Sequence, residues 1–200
     1  MNTSRPYDMR GRTAAVEATR VRITESAQRL FLERWYDDVT IALVADAADV
    51  SGQTVLNHFG DKEGLFAAVV EHTSEEMLGR RDQAEPGDIS GAIEILVDDY
   101  EITGDATMRL LAVEHRVPSV RETMDTGRRH HRDWVERTLG SHGLTDELVV
   151  VTDVYAWKLL RRDRCLSRDR TVAAMTRMAE ALIATGDRTE KTESNRRRPR

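Results

Sequence analysis

Two side-chain amides, Gln53 and Asn57, stand four residues apart in the stretch 50–60, which holds no charged residue apart from His58 if that ring is protonated. A carboxamide presents a hydrogen-bond donor and an acceptor side by side, which matches the major-groove edge of adenine. The methyl group of Thr54 can contact the methyl group of thymine in the same groove. These residue types predict direct reading of A·T base pairs, provided that a helix presents them outward.

Such reading needs two short helices joined by a tight turn, and residues 40–59 predict that arrangement. Thr40 is placed to cap a helix over 41–48 and Ser51 to cap a second over 52–59, because a hydroxyl oxygen there accepts an unpaired backbone N–H. The expected packed positions are Ile41, Val44, Ala45, Val50, Val55 and Phe59. A generic helical hairpin gives a similar apolar pattern, so periodicity alone leaves both interpretations open.

Phosphate binding is the difficulty for this segment. No lysine or arginine occurs between Arg34 and Lys62, and five aspartates fall in that gap. Helix N-termini bind phosphate through free N–H groups without a formal charge, which gives Thr40, Ser51 and Gly52 a role, and His58 lies outside with them. A second source of charge is the N-terminal region, whose arginines outnumber Asp8 and Glu17; these are Arg5, Arg10, Arg12, Arg20 and Arg22. It either reaches the backbone or minor groove or remains a solvated tail.

The rest of the chain reads as helices joined by short breaks. Helices are expected over about 13–34, from Asp61 to about 80, and then over about 89–102, 105–116, 118–140, 145–164 and 168–185, with Gly104 and Gly186 as helix ends. The predicted fold is all-α. A flexible N-terminal arm at 1–12 precedes a three-helix helix-turn-helix domain at 13–60. A C-terminal helical bundle for ligand binding and dimerisation follows at 61–186, with the helix at 61–80 as its connector, and a disordered tail occupies 187–200.

Composition narrows the class of protein. The net charge of −5 argues against a protein that coats nucleic acid nonspecifically, and the single cysteine, Cys165, fits a reducing cytoplasm. No apolar run approaches the roughly 20 residues of a membrane helix. The sequence has no G-x-S-x-G, no glycine loop for phosphate and no histidine pair at metal-ligand spacing. We therefore expect a cytoplasmic protein that is not an enzyme and uses no metal and no cofactor.

The order of residues is more specific than the periodicity. The run "RITESAQRLFLERWYDDVTIALVADAADVSGQTVLNHFGDKEGLFAAVV" resembles the N-terminal domain of TetR-family transcriptional regulators. The shared features are "A..LF" at the end of helix one, "T...VA..A.VS" through the turn and "HF..KE.LF" into helix four. The resemblance implies a homodimer, a C-terminal ligand-binding domain and ligand-controlled release from a palindromic operator. It also implies that Lys62 contacts a phosphate.

Three positions depart from the family pattern. Asp49 stands in the turn where the family usually has a glycine at positive φ, a conformation that aspartate tolerates better than most residues. Trp35 replaces another common glycine, and Leu56 replaces a tyrosine that contacts phosphate. Since Leu56 cannot donate a hydrogen bond, we expect one backbone contact to be lost. Few cationic side chains are expected to contact phosphate. DNA affinity should therefore depend weakly on salt, because each neutralised phosphate contributes about −0.9 to the slope.

By the same resemblance, the second domain supplies the pocket and the dimer interface. Eight residues lie on helices that line the cavity in similar proteins: Tyr100, Met108, Leu111, His115, Met124, His131, Trp134 and Tyr155. Each is equally compatible with an ordinary core position. The helices predicted over 145–164 and 168–185 carry more apolar surface than one packing interface would bury. One face of each helix is therefore expected to meet a symmetry mate, with a purely intramolecular bundle as the alternative. The run "RRDR" at 161–164 is read as the cationic end of a helix rather than a nucleic-acid patch.

The predicted function is a transcriptional repressor that binds double-stranded operator DNA. A small and mostly apolar ligand is expected to release it from that DNA. The alternative is a ligand-binding or protein-interaction dimer that has lost specific DNA binding.

Overall fold

The computed structural model describes residues 9–140 and 143–196, with side chains over 13–140 and 143–186. Within these ranges every regular element is helical and no strand occurs, which confirms the predicted all-α class. None of the described helices is long and apolar enough to cross a membrane. Two compact units divide the chain, Met1–Thr73 and Ser74–Arg200. The division lies within the connecting helix, whereas the prediction placed it ahead of that helix.

The first unit is built on three helices that enclose a small aromatic core. These are α1 (Met9–Glu33), α2 (Ile41–Ala47) and α3 (Gly52–Phe59), with a 3-10 turn at Tyr36–Asp38 between α1 and α2; α4 (Lys62–Arg81) begins in this unit. Phe66 meets the rings of Phe31 and Tyr36 edge-on, each at 5.2 Å between centroids. The predicted packed positions Val44, Ala45 and Val55 are buried. A compact base therefore holds the short helices α2 and α3.

The second unit contains the remaining elements. They are α5 (Ile89–Leu111), α6 (Pro118–Leu139), α7 (Thr145–Thr152), α8 (Val154–Lys158), a π-helical turn at Leu159–Asp163 and α9 (Arg168–Arg196). The core lies where α5 packs against α6, α8 and α9, and its largest fully buried side chain is Trp157. Pro118 occupies the first turn of α6, as predicted.

The predicted break at Gly104 is wrong, because α5 runs through it without interruption. A Cβ atom at this position would lie 2.5 Å from a ring carbon of Trp157. The absence of a side chain at Gly104 therefore lets the indole ring approach the helix backbone.

The predicted single helix over 145–164 is also wrong, because the chain breaks at Asp153. This residue has extended backbone angles (φ −69°, ψ 156°), and its side chain caps α8 by accepting from the Tyr155 N–H at 2.9 Å. After α8 the helix widens into the π turn, where Arg164 N donates to Leu159 O at 2.9 Å. Aspartate competes for backbone N–H groups in this way, which favours a new start over a continued helix.

The structure shows helix within parts of both segments that were predicted to be flexible. Backbone helix already starts at Met9, inside the predicted arm at 1–12, and α9 continues past Gly186 to Arg196. The segment 187–196 is polar but rich in good helix formers and free of proline, so nothing in it stops a helix that is already nucleated. Residues 1–8 and 197–200 of the two predicted ends lie outside the described residues.

Candidate nucleic-acid interface

Both predicted caps of the helix-turn-helix are confirmed. The Thr40 hydroxyl accepts from Leu43 N at 3.1 Å, and the Ser51 hydroxyl accepts from Thr54 N at 3.1 Å. Each cap satisfies one of the four N–H groups that a helix leaves unpaired at its start. The Ser51 hydroxyl also lies 2.8 Å from the Thr54 hydroxyl, so these two side chains form one polar group at the beginning of α3.

The turn between α2 and α3 is a Schellman motif that depends on Asp49. Val50 N donates to Ala45 O at 3.0 Å and Asp49 N donates to Asp46 O at 3.3 Å, which is the hydrogen-bond pair of that motif. Asp49 lies at φ +52°, in the left-handed region that the family pattern implies for this position. The turn is therefore made without glycine.

Gln53 and Asn57 are exposed on α3, and Gln53 Nε2 donates to Asn57 Oδ1 at 2.9 Å. Thr54 and His58 are half-buried beside them. Leu56, at 37% exposure, adds an apolar side chain to the outer surface of the same helix. The structure thus brings the two predicted base readers together on the exposed surface of α3.

Gly52 begins α3 in contact distance of α2. A Cβ atom here would meet the Ile41 side chain at 3.9 Å, which is ordinary packing. The glycine is consequently not required by space, and its part in the predicted site is limited to its backbone N–H at the helix start.

Lys62 is engaged inside the first unit. Its ammonium group donates a short hydrogen bond to the Tyr36 carbonyl and a second one, at 3.5 Å, to the Asp37 carbonyl. It also lies 4.2 Å from the centroid of the Tyr36 ring. Partial burial lowers the pKa of Lys62, and the carboxylates of Asp37 and Asp38 oppose that shift. Lys62 therefore fastens the 3-10 turn, whereas the family pattern places it at a phosphate.

Arg22 is also engaged, since its Nε donates to the Ala48 carbonyl at 2.9 Å. Arg20 makes an equivalent contact with the His58 carbonyl at 2.9 Å. Both arginines lie in the helix predicted over 13–34, and from the sequence they count as charge available to DNA. The carbonyl groups that they contact belong to elements distant along the chain, which the sequence alone does not reveal.

Three of the predicted pocket residues converge in the second unit. The hydroxyl of buried Tyr100 donates to Thr152 O at 3.1 Å, and Nε2 of buried His131 lies 3.1 Å from Thr152 Oγ1. The rings of His131 and Trp134 stack at 6.0 Å. Burial first, and then the nearby charge of Arg81, lower the pKa of His131 to about 3. Burial raises the pKa of Tyr100.

The other five pocket candidates are divided between partly buried and exposed positions. Met108 and Leu111 pack against the core, Met124 is half-buried, and His115 and Tyr155 are exposed. A surface groove of about 530 Å³ in the same unit is lined instead by Leu78, His130, Asp133, Glu136 and Arg137. Sequence position on a helix could not distinguish inward from outward side chains at His115 and Tyr155.

Buried charge lies next to the cluster. Asp99 is fully buried and accepts from Arg81 Nε at 3.0 Å and from Arg80 NH2 at 2.6 Å. Arg81 in turn lies over the ring of Tyr100, 5.4 Å from its centroid. The charge of this buried carboxylate is compensated by two guanidinium groups, and removal of both would leave it buried without a partner.

The run at 161–164 is neutralised by α5. Arg161 Nε lies 2.8 Å from Glu101 Oε1, and Arg162 NH2 lies 2.9 Å from Asp105 Oδ2. These ion pairs give the two arginines structural partners, in keeping with the prediction that they are not a nucleic-acid patch.

Apolar side chains remain outside on the last elements of the second unit. Val150 is 68% exposed, Tyr155 55% and Leu159 54%. Leu148 and Trp157, on the opposite sides of the same elements, are fully buried. These elements therefore bury some of their apolar side chains inside the unit and leave others exposed.

The sequence matches known proteins over its N-terminal part. A family model described as "Bacterial regulatory proteins, tetR family" matches residues 23–69. The HTH-type transcriptional repressor AcnR of Corynebacterium glutamicum is 36% identical over 59 residues, which is 30% of this chain and 31% of that protein. AcnR of Corynebacterium efficiens is 32% identical over 78 residues, which is 39% of this chain and 38% of that protein. The match therefore spans about a third of the length of these relatives.

The fold extends the likeness to most of the chain. A tetR-family regulator from Streptomyces coelicolor superposes with a TM-score of 0.72 at 19% identity, covering 90% of this chain and 86% of that one. A regulator from Aquifex aeolicus gives a TM-score of 0.63 at 15% identity, covering 82% of this chain and 99% of that one. At such identities the superpositions establish the fold alone. Residues 23–69 thus match the tetR family of bacterial regulatory proteins, and the fold of the chain is similar to that of a solved tetR-family regulator.

Proposed function

We propose that this protein is a transcriptional repressor that binds double-stranded operator DNA through α3. The observation that carries the proposal is the exposed Gln53–Asn57 amide pair on a helix that both a Schellman turn and a serine cap hold in place. Relatives that match part of the chain are named transcriptional repressors. Binding would place α3 in the major groove, with the N-termini of α2 and α3 at the phosphates.

The operator is palindromic in this proposal, because the protein acts as a homodimer. A two-fold dimer reads two half-sites whose centres lie about 34–36 Å apart. The exposed apolar residues Val150, Tyr155 and Leu159 supply the surface that a symmetry mate would cover. Since Gln53 and Asn57 suit adenine and the Thr54 methyl suits thymine, each half-site has A·T pairs at its core.

Control by a small, mostly apolar effector is the second part of the proposal. The buried cluster of Tyr100, His131 and Trp134 combines aromatic rings with a few polar atoms, a composition typical of small-molecule sites. An effector that binds more tightly to a conformation with another spacing of the α3 helices would lower DNA affinity by that difference. The protein would act in the cytoplasm and without a cofactor.

Two specific observations favour a second candidate, a ligand-binding or protein-interaction dimer without DNA binding. Lys62 is bound to backbone carbonyls, and Leu56 is exposed where the family pattern has a phosphate-contacting tyrosine. Both features weaken the grip on a polyanion.

Selection of duplexes from a random pool separates the two candidates. The repressor predicts enrichment of an inverted repeat with A·T pairs at the core of each half-site. Half-sites dominated by G·C pairs would contradict the proposed base reading, and a pool that remains random after repeated selection would favour the second candidate. A mobility shift with DNA from upstream of the protein's own gene provides an independent check.

A further inference from the structure

Arg20 joins the middle of α1 to the far end of α3. Its NH1 donates to the His58 carbonyl at 2.9 Å, and its guanidinium carbon lies 4.5 Å from the centroid of the Phe59 ring. His58 and Phe59 are the last two residues of α3. One side chain thus contacts both the backbone and an aromatic ring at the end of the predicted reading helix.

The end of a helix is where such a contact has the largest effect. The last four carbonyl groups have no partner within the helix, and the helix dipole makes that end negative. A guanidinium group satisfies one of these carbonyls, opposes the dipole and stacks on the ring at the same time. Lysine has one compact ammonium group, so it cannot make the hydrogen bond and the planar stack together.

Arg22 makes a matching contact at the other end of the motif. Its Nε donates to the carbonyl of Ala48, the C-cap residue of α2, at 2.9 Å. Ala48 immediately precedes Asp49 in the turn, and the turn leads directly into α3. The two arginines of α1 consequently hold the segment that contains α3 just before its beginning and at its end.

We propose that Arg20 and Arg22 are positioning residues that set how α3 enters the major groove, and that they do not grip phosphates. This inference depends on the proposed DNA-binding function. A phosphate contact supplies affinity for any sequence, whereas an anchor of α3 supplies affinity only for the sequence whose bases Gln53 and Asn57 must meet. Removal of Arg20 should therefore lower specific binding selectively.

The test compares Arg20→Gln and Arg20→Lys with Arg34→Gln, a control that removes an exposed arginine just past the end of α1. The probes are the duplex that the wild-type protein enriches from a random pool and a scrambled duplex of equal length, titrated over a range of salt concentrations. For Arg20→Gln we expect about tenfold weaker binding of the enriched duplex, unchanged binding of the scrambled duplex and an unchanged salt slope. Arg20→Lys should show most of this loss, and Arg34→Gln should lower both affinities equally or not at all.

The opposite pattern would overturn the inference. If Arg20→Gln weakens both duplexes by the same factor and reduces the slope by about 0.9 for each protomer, Arg20 contacts a phosphate. Binding of Arg20→Lys at the wild-type level would point the same way, because lysine retains a phosphate contact. Wild-type binding by both Arg20 variants would show that the anchor has no effect on recognition.

A measurement without DNA keeps this inference distinct from the proposed function. Amide hydrogen exchange in peptides covering 52–60 should be faster in Arg20→Gln than in the wild type or Arg34→Gln, while peptides of the second unit remain unchanged. Unchanged exchange over 52–60 would show that Arg20 does not hold α3 in place, whatever the DNA measurements give. If the wild-type protein enriches no duplex, the proposed function falls, and exchange alone still decides whether Arg20 holds α3.

Discussion

Gln53 and Asn57 form a hydrogen-bonded pair, with Gln53 Nε2 donating to Asn57 Oδ1 at 2.9 Å on the exposed surface of α3. Each amide is thereby held in one orientation before it meets any partner. An amide retains further donors and acceptors when one is used, so the pair can still present groups to a base edge. Residues four apart on a helix are neighbours, which makes this coupling a direct result of their spacing.

The first prediction is that these two amides act as a unit in DNA binding. Gln53→Ala and Asn57→Ala should each weaken binding of the selected duplex by about 1–3 kcal/mol, since each removes one base contact. The double variant should lose at least about 0.5 kcal/mol less than the sum, because the first substitution already releases the second amide. Equilibrium titrations of the three variants measure the coupling, and strictly additive losses would show that the pair reads bases independently.

The second prediction concerns the left-handed residue in the turn. Asp49→Gly should raise the free energy of unfolding by about 0.5 kcal/mol, because glycine adopts φ +52° without strain. Asp49→Ala should lower it by about 1 kcal/mol, since a Cβ atom is disfavoured there and alanine has no polar side chain to compensate. Thermal and denaturant unfolding give both values. An alanine variant more stable than the glycine variant would be incompatible with a left-handed Asp49.

The third prediction compares two glycines within helices. Gly104→Ala should destabilise the protein by about 1–3 kcal/mol, because the new methyl group would lie 2.5 Å from the Trp157 ring in a filled core. Gly127→Ala, in α6, has nothing within 4 Å of its new Cβ and should stabilise by about 0.5–1 kcal/mol through helix propensity. The same unfolding experiments measure both. If the two substitutions have the same sign, Gly104 does not owe its place to Trp157.

The fourth prediction is a pH dependence of stability that comes from His131. Burial and the charge of Arg81 lower its pKa from 6.5 to about 3 in the folded protein. The unfolded chain therefore binds this proton at a higher pH than the folded protein does, and the free energy of unfolding should fall as the pH drops from 6.5 toward about 3. One such group contributes at most about 1.4 kcal/mol per pH unit.

The control for this prediction is His131→Gln, which removes the titrating ring. Its free energy of unfolding should fall less steeply over the same pH range, whatever its absolute stability. Parallel curves for the two proteins would mean that the imidazole is not held neutral in the fold.

The elements that depend on local chemistry could be predicted from the sequence. Thr40 and Ser51 cap their helices because of their own hydroxyls, and Asp49 takes its positive φ within a motif that is complete in six residues. Gly104 could not be predicted, because its role depends on Trp157, which is distant along the chain. The same applies to Asp153, whose side chain begins a new helix where apolar periodicity predicted a continuous one.

The positions of the cations were the main difference between sequence and structure at the candidate site. Counting charges treats Lys62, Arg20 and Arg22 as available to phosphate, yet each donates to a backbone carbonyl within the first unit. A sequence without contacts cannot show which carbonyls are left over at the ends of short helices. Three short helical segments lie within 36–59, and a carbonyl group in or directly after each of them accepts a hydrogen bond from one of these cations.

If α3 binds DNA as proposed, its neutral outer surface reduces the number of copies of this protein that a cell needs. Binding to unrelated DNA is almost entirely electrostatic, and a genome offers roughly 10⁶–10⁹ competing sites. A protein that binds Lys62, Arg20 and Arg22 to its own carbonyl groups offers those sites less attraction, so a smaller share of its molecules is held away from the operator. Its promoter could then be kept silent at low copy number, and would be released by a correspondingly small amount of effector.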